Sequence, residues 1–207
     1  MDFRADLHCH STCSDGTLTP QALVALAVEK RLTGLSITDH DTIDAYALAG
    51  PEAEKLNLSL LHGVEFSCSH LNTSVHVLAY AFSLTRPPLL ELCHAHIERR
   101  ERRNALVLEK LAELGMPLEK EDILGSNRPG RPHIALAMVK KGYVESIEQA
   151  FHKFLGDGKP CYVQGKTFSV EETIEIIHAS GGFAVIAHPH LMKNQAVLLE
   201  LLKMKFV

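Results

Sequence analysis

Short apolar runs alternate with helical patterns at the two ends of this chain but not in its middle, and that arrangement admits few folds. Residues 3–9 read as a strand. Thr19 then offers an N-cap with Pro20 at the first helical position. Leu23, Leu26 and Ala27 recur at helical spacing, and Gly34 restarts the chain. Residues 34–38 read as a second strand, and a helical stretch interrupted at Pro51 covers about 42–56. Residues 58–66 read as a third strand and 74–82 as a fourth. Strands alternating with helices predict βα units and a largely parallel sheet.

From residue 87 to about 115 the texture changes to one long helical pattern rich in Leu, Glu and Arg. Shorter helical pieces follow at 119–124, 132–141 and 146–155, and a strand is read at 160–163. Residues 85–165 are therefore expected to be a helical insertion that divides an α/β domain into 1–84 and 166–207. Beyond it, Ser169-Val170-Glu171-Glu172 matches a capping box, Gly181-Gly182 ends that helix, 183–187 is a strand, and a last helix covers about 194–205. A length of 207 residues suits one such domain with an insertion. Hydrophobic residues at 46% and charged residues at 22% exclude a disordered or low-complexity chain. No apolar run approaches the roughly 18–20 residues of a membrane span, and the first residues lack the apolar stretch of a signal peptide. Five cysteines without a framework spacing predict reduced thiols in a cytoplasmic protein. With 21 basic against 25 acidic side chains, 21 − 25 = −4, a broadly basic surface for duplex nucleic acid is not expected.

The chain holds 13 histidines, and their placement is not random. Asp6, His8 and His10 alternate along the first strand, so they share a face, with Asp15 following in a Ser-Asp-Gly turn. Asp39-His40-Asp41 closes the second strand, Glu65 the third, His76 lies on the fourth, and His188-Pro189 closes the strand after the insertion. In parallel α/β folds the carboxyl ends of strands carry the active site. Ionisable groups gathered there are costly to bury unless metal ions neutralise them. Imidazole and carboxylate without thiolate suit manganese, iron or zinc. Cys9 points to the opposite face from His8 and His10, as a core thiol would, and Cys13 and Cys68 form no Cys-x-x-Cys pair. About seven candidate ligands exceed one tetrahedral site, which predicts more than one ion. Clustered divalent ions generate hydroxide from water at neutral pH and clamp the attacking and leaving oxygens of a phosphoryl displacement. Two or three such ions, bringing about four to six positive charges, outweigh Asp15 and Glu65 and make the site attractive to anions despite the acidic chain.

Asp6-Leu7-His8-Cys9-His10-Ser11 with Ser14-Asp15-Gly16, Ile37-Thr38-Asp39-His40-Asp41-Thr42, Gly63-Val64-Glu65-Phe66-Ser67, His76-Val77-Leu78-Ala79-Tyr80 and Ala187-His188-Pro189 resemble, in this order, the PHP (polymerase and histidinol phosphatase) family. Within it, Glu98-Arg99-Arg100 with Arg103, Gly130-Arg131-Pro132-His133 and Gly158-Lys159-Pro160 resemble the stand-alone nucleoside-3′,5′-bisphosphate phosphatases that also act as 5′→3′ exoribonucleases. The resemblance implies a distorted (β/α)7 barrel with up to three metal ions, usually manganese. It implies His8, His10, Asp15, His40, Glu65, His76 and His188 as metal ligands, with Asp15, His40 and His188 as the catalytic set. It implies Arg131 and His133, and more weakly Arg99 and Arg103, as groups that face substrate phosphate, with 85–165 as a substrate cap. The family's last motif, a Gly-Ser-Asp-x-His, has no counterpart here, so an open barrel and an incomplete metal site are expected.

Residue physics alone reads Arg99, Arg102 and Arg103 as a solvated helix face by their i, i+3, i+4 spacing. Arg131 and His133 open a helix, whose free N–H groups favour anions. His94 and His96, two apart on a helix, are expected at the surface. His62, His70, His152 and His178 receive no role, and His190 is read as structural rather than substrate-contacting. The expected activity is metal-dependent hydrolysis of nucleotide phosphates or short RNA. The alternatives are a small-metabolite phosphatase of histidinol-phosphatase type and a non-catalytic, metal-stabilised domain.

Overall fold

Among the residues that the computed structural model describes (3–123, 129–192 and 194–207), the strands form two three-stranded sheets rather than a closed barrel. The first sheet is parallel, in the order β1 (Ala5–Cys9), β2 (Gly34–Ile37), β3 (Ser59–Leu60). Helix α1 (Pro20–Glu29) connects β1 to β2, and α2 (Ala45–Lys55) connects β2 to β3. Thr19 caps α1 by accepting the Ala22 N–H at 3.2 Å, with Pro20 in the first turn. Val24, Leu35, Ile37, Ala45, Ala49 and Leu58 form the core beneath this sheet.

The second sheet is antiparallel, in the order β4 (Gly63–His70), β5 (Thr73–Tyr80), β6 (Phe183–Ile186). This corrects the expectation of a largely parallel sheet. Only Leu71 and Asn72 separate β4 from β5, both with positive φ (47° and 59°). A two-residue loop of that geometry can only turn the chain back on itself as a hairpin. The single third strand expected over 58–66 is likewise two strands, β3 and β4, which belong to different sheets.

Backbone and tyrosine hydrogen bonds join the sheets. His40 pairs with Glu65 in a parallel bridge, flanked by Glu65 N–H to Asp39 O (3.2 Å) and Asp41 N–H to Glu65 O (3.0 Å). The buried Tyr46 hydroxyl lies 2.7 Å from Ile37 O and 3.0 Å from Leu61 O as donor, and accepts the Gly63 N–H at 2.6 Å. Tyr80 donates to Leu7 O at 2.7 Å. Gly63 is required by close approach, because a Cβ there would lie 2.3 Å from Ser36 Oγ and 2.9 Å from Thr38 Cγ2.

The chain divides into two compact units, residues 1–96 with 167–207, and residues 97–166. Helix α3 (Pro87–Glu113) begins in the first and continues into the second. The second unit also contains a 3-10 turn (Lys120–Asp122), α4 (Arg131–Lys140) and α5 (Ile147–Ala150), which runs into a π-helical turn (Phe151–Leu155). Val107, Leu111, Ile134, Met138, Leu155 and Cys161 form its own core. Residues 160–163, expected as a strand, are irregular. Lys159 and Cys161 instead bond backward to Gly156 O and Phe154 O. Residue 124, the expected end of one helical piece, lies outside the described residues. In the first unit, α6 (Val170–Ala179) is capped by Ser169, which accepts the Glu172 N–H at 3.1 Å, and α7 (Gln195–Leu201) follows β6. Both pack with Leu89 and Leu92 of α3 on the apolar face of the second sheet, around Phe66, Val77 and Ile177.

Candidate metal centre

Glu65 organises the site. Its side chain, 1% exposed, leaves β4 beside the bridge to His40. Oε1 lies 2.9 Å from His76 Nδ1 and 2.9 Å from His188 Nε2. Oε2 lies 3.1 Å from His8 Nε2, 3.1 Å from His10 Nε2 and 3.5 Å from His40 Nδ1. Asp15 stands at the solvent edge, with Oδ1 3.4 Å from His10 Nδ1 and Oδ2 3.6 Å from His40 Nε2. All seven residues expected as metal ligands are thus gathered in one place, from six separate stretches of chain. Asp6 stands apart, since its carboxylate accepts the His8 N–H at 3.1 Å.

Burial opposes a charge on Glu65. Hydrogen bonds from His10 and His76, with the charge of His40 and His76, outweigh it and hold the carboxyl well below the usual carboxylate range. Burial likewise opposes protonation of His10. The bond to Glu65 and the charges of Asp15, Glu65 and Asp39 overcome it and raise the imidazole above its ordinary value. Three overlapping groups have one ligand atom from each member within 4.8 Å of the others: His8, His10 and Glu65; His10, Asp15 and His40; His40, Glu65 and His76. His76 Nδ1 and His188 Nε2 are only 3.2 Å apart while both face Glu65 Oε1. So many imidazole nitrogens on one carboxylate exceed the roughly four lone-pair directions it offers to donors. Cations among them would take the imidazole lone pairs directly, so the nitrogens would not all have to donate to Glu65, and the set of imidazole and carboxylate fits divalent transition metals.

Two aspartates that received no role from the sequence hold this arrangement. Asp39, 1% exposed, accepts the Ser11 N–H (2.7 Å), Ser11 Oγ (2.5 Å) and Ser14 Oγ (2.6 Å), which pins the loop between His10 and Asp15. Gly16 closes that loop against the His10 backbone, where a Cβ would lie 2.0 Å from His10 O. Asp41, fully buried at φ +60°, accepts the Ser67 N–H at 2.7 Å and Ser67 Oγ at 3.0 Å. His188 also has a left-handed backbone (φ 31°), just after Ala187 N–H binds His76 O.

His96 is the clearest correction. Expected at the surface, it is fully buried, whereas its neighbour His94 is exposed. The i, i+2 spacing correctly puts the two on different faces, but spacing does not say which face is covered. Cys9 bonds Ser36 O, and its thiol is pushed up to about 12 by burial first and then by Asp6 and Asp39. Cys13 and Cys68 lie in the cores of the two sheets. His62 and His70 contact Phe82 O (3.2 Å) and Glu171 (3.0 Å), and His152, His178 and His190 are exposed.

The residues expected to face substrate phosphate belong to the second unit. Arg131 Nη1 lies 3.4 Å from Leu155 O and 3.7 Å from Asp157 Oδ1, with the guanidinium 5.3 Å from the centre of the Tyr162 ring. His133 Nδ1 accepts the Gly130 N–H at 3.1 Å and so caps α4. Arg103 donates to Asn104 Oδ1, and Arg99 is half-buried on α3.

The PHP domain family model matches residues 6–195, which include every member of the cluster. The chain belongs to the PHP domain family. This PHP domain is 40% identical over 189 residues to a 5′-3′ exoribonuclease of Escherichia coli, a match that covers 89% of the chain. The chain spans 64% of that relative's length. It is 32% identical to a 3′,5′-nucleoside bisphosphate phosphatase of Chromobacterium violaceum, over 97% of the chain and 72% of the relative. A solved structure from Bifidobacterium adolescentis, described as a metal-dependent phosphoesterase, superposes on the PHP domain with a TM-score of 0.84 at 31% identity. That superposition covers 94% of this chain and 70% of the other.

Proposed function

We propose that this PHP domain hydrolyses phosphate esters of nucleotides, 3′,5′-bisphosphates or the ends of short RNA, with divalent metal ions bound at the Glu65 cluster. The observation that carries the proposal is the convergence of five imidazoles on one buried carboxylate. His8, His10, Asp15, His40, Glu65, His76 and His188 would hold the ions, manganese first and iron or zinc as alternatives. Bound there, such ions would supply Lewis-acid activation of water and neutralise phosphate charge.

The chain's own groups do the rest. Glu65 provides the buried negative charge around which the histidines are arranged. Asp15, His40 and His188 form the catalytic set, and Asp15, a third exposed, can hold or pass a proton at the solvent edge. Arg99, Arg103, Arg131 and His133 bind and orient substrate phosphate, as donors matched to its oxygens. Residues 85–165 serve as the substrate cap, and the two sheets as part of an incomplete (β/α)7 barrel. The five cysteines, none of them in a disulfide, fit a reducing, cytoplasmic setting. The names of the exoribonuclease and the bisphosphate phosphatase among the relatives support the substrate class.

The test is phosphate release from a nucleoside 3′,5′-bisphosphate, mononucleotide release from a 5′-phosphorylated RNA oligonucleotide, and phosphate release from histidinol phosphate, each with added Mn²⁺. Release from the first two that is lost in Glu65→Gln supports the proposal. Release from histidinol phosphate alone points to the small-metabolite reading. Full Mn²⁺ occupancy with no turnover of any substrate refutes catalysis by this chain.

A further inference from the structure

His96 is buried in the first unit on α3, its ring stacked on Phe168 (centroids 3.8 Å apart, 22° between planes) and tilted against Phe66 at 5.5 Å. An apolar ring would fill that slot equally well. What packing does not demand is the nitrogen, and Nδ1 lies 3.1 Å from Asp41 Oδ1, a carboxylate that is itself fully buried. Asp41 directly follows His40, and its N–H donates to Glu65 O at 3.0 Å. Its carboxylate reaches forward along β4 to the backbone and hydroxyl of Ser67. Asp41 therefore grips the strand on both sides of Phe66, between the residues that present His40 and Glu65. Its backbone is left-handed (φ 60°), and these contacts hold it there. The His96 imidazole is one of those contacts, and it comes from a different element.

We propose that His96 is a positioning residue for the metal centre, holding Asp41 so that His40 and Glu65 keep the spacing that metal ions need. The proposal rests on reading the Glu65 cluster as a metal centre. Partners in the second layer around a metal orient the groups that bind it, and losing one typically costs about 10–100-fold in affinity.

The experiment measures Mn²⁺ affinity by calorimetry and the visible spectrum of bound Co²⁺ for the full chain. It compares His96→Phe, His96→Asn, Asp41→Asn and the His96→Phe/Asp41→Asn double variant. His96→Phe fills the slot without a donor and should lower Mn²⁺ affinity about 10–100-fold and shift the Co²⁺ bands. His96→Asn fills the slot less well but keeps a nitrogen donor for Asp41. It should melt lower than His96→Phe and yet bind metal more tightly. A purely structural role gives the opposite order, with affinity following melting temperature, and would overturn the proposal. The double variant should bind no more weakly than the weaker single variant, since both changes break one linkage. Should His96→Phe fail to fold, Asp41→Asn decides, because unchanged affinity there also overturns the proposal. A wild-type chain that takes up neither ion removes the metal-centre reading itself. Wild-type binding with His96→Phe within twofold of it removes only the role of His96.

Discussion

Replacing Tyr46 by Phe would delete one oxygen atom and leave the two sheets without a hydrogen-bonded link that both use. The Tyr46 hydroxyl has a single proton to share between Ile37 O and Leu61 O, and it accepts the Gly63 N–H at 2.6 Å. The tyrosine is 5% exposed, so water cannot readily replace the missing oxygen. The variant loses one donated bond, worth about 0.5–1.5 kcal/mol net, and orphans a buried N–H at about 1–3 kcal/mol. Relief from burying the hydroxyl returns part of this, which leaves about 1–4 kcal/mol. For a domain of this size each kcal/mol moves Tm by about 2–4 °C, so melting should fall by about 2–16 °C. The assay is thermal and urea denaturation of wild type and Tyr46→Phe, with hydrogen exchange at the Gly63 amide. The urea m-value should stay the same while the midpoint drops, and Gly63 should exchange faster than its neighbours on β4. A Tm within 1 °C of wild type, together with unchanged Gly63 protection, would refute the claim that this hydroxyl joins the sheets.

Gly16→Ala should cost at least about 1–3 kcal/mol of overpacking strain or displace the His10–Asp15 loop, since its Cβ would sit 2.0 Å from His10 O. Unchanged melting together with unchanged Mn²⁺ affinity would contradict that contact. Mn²⁺ at about 100 times its Kd should stabilise the folded chain by about 2.7 kcal/mol, and chelation should reverse it. A melting temperature indifferent to both would count against a metal centre. Because burial and two neighbouring aspartates raise the Cys9 thiol to about 12, the reactive thiolate is scarce at pH 8. Ellman's reagent should therefore label Cys9 slowly until the protein unfolds, and a rapid one-thiol phase in the folded protein would show otherwise.

The long helix from Pro87, the caps at Thr19 and Ser169, and His40 and His188 just past the ends of β2 and β6 were legible in the sequence, whereas Glu65, expected to close a strand, stands third in β4. Each is a local pattern, set by the period of the side chains or by one side chain reaching a backbone N–H a few residues away. The hairpin was hidden because its turn is Leu71-Asn72 rather than the glycine-containing pair that such loops favour. Residues 58–66 looked like one strand because Leu58, Leu60, Leu61, Val64 and Phe66 recur through it without a proline to break it. The break at Leu61-His62 exists because Leu61 O and Gly63 N both turn to Tyr46, 15 and 17 residues away.

The sequence by itself determined the family to which this chain belongs. Five histidines, an aspartate and a glutamate stand in an order and spacing that match one family, and no thiolate joins them. Only the tertiary structure decided that Glu65 lies at the centre of the imidazoles, that Asp39 and Asp41 hold the loops on either side of His40, and that His96 is core rather than surface. The physical reason is range. Residue type and periodicity act over a turn of helix or a pair of strand positions. The surroundings of Glu65 depend on β4 pairing with residues 39–41 and with β5, and those of His96 on Phe66 and Phe168, contacts made across tens of residues.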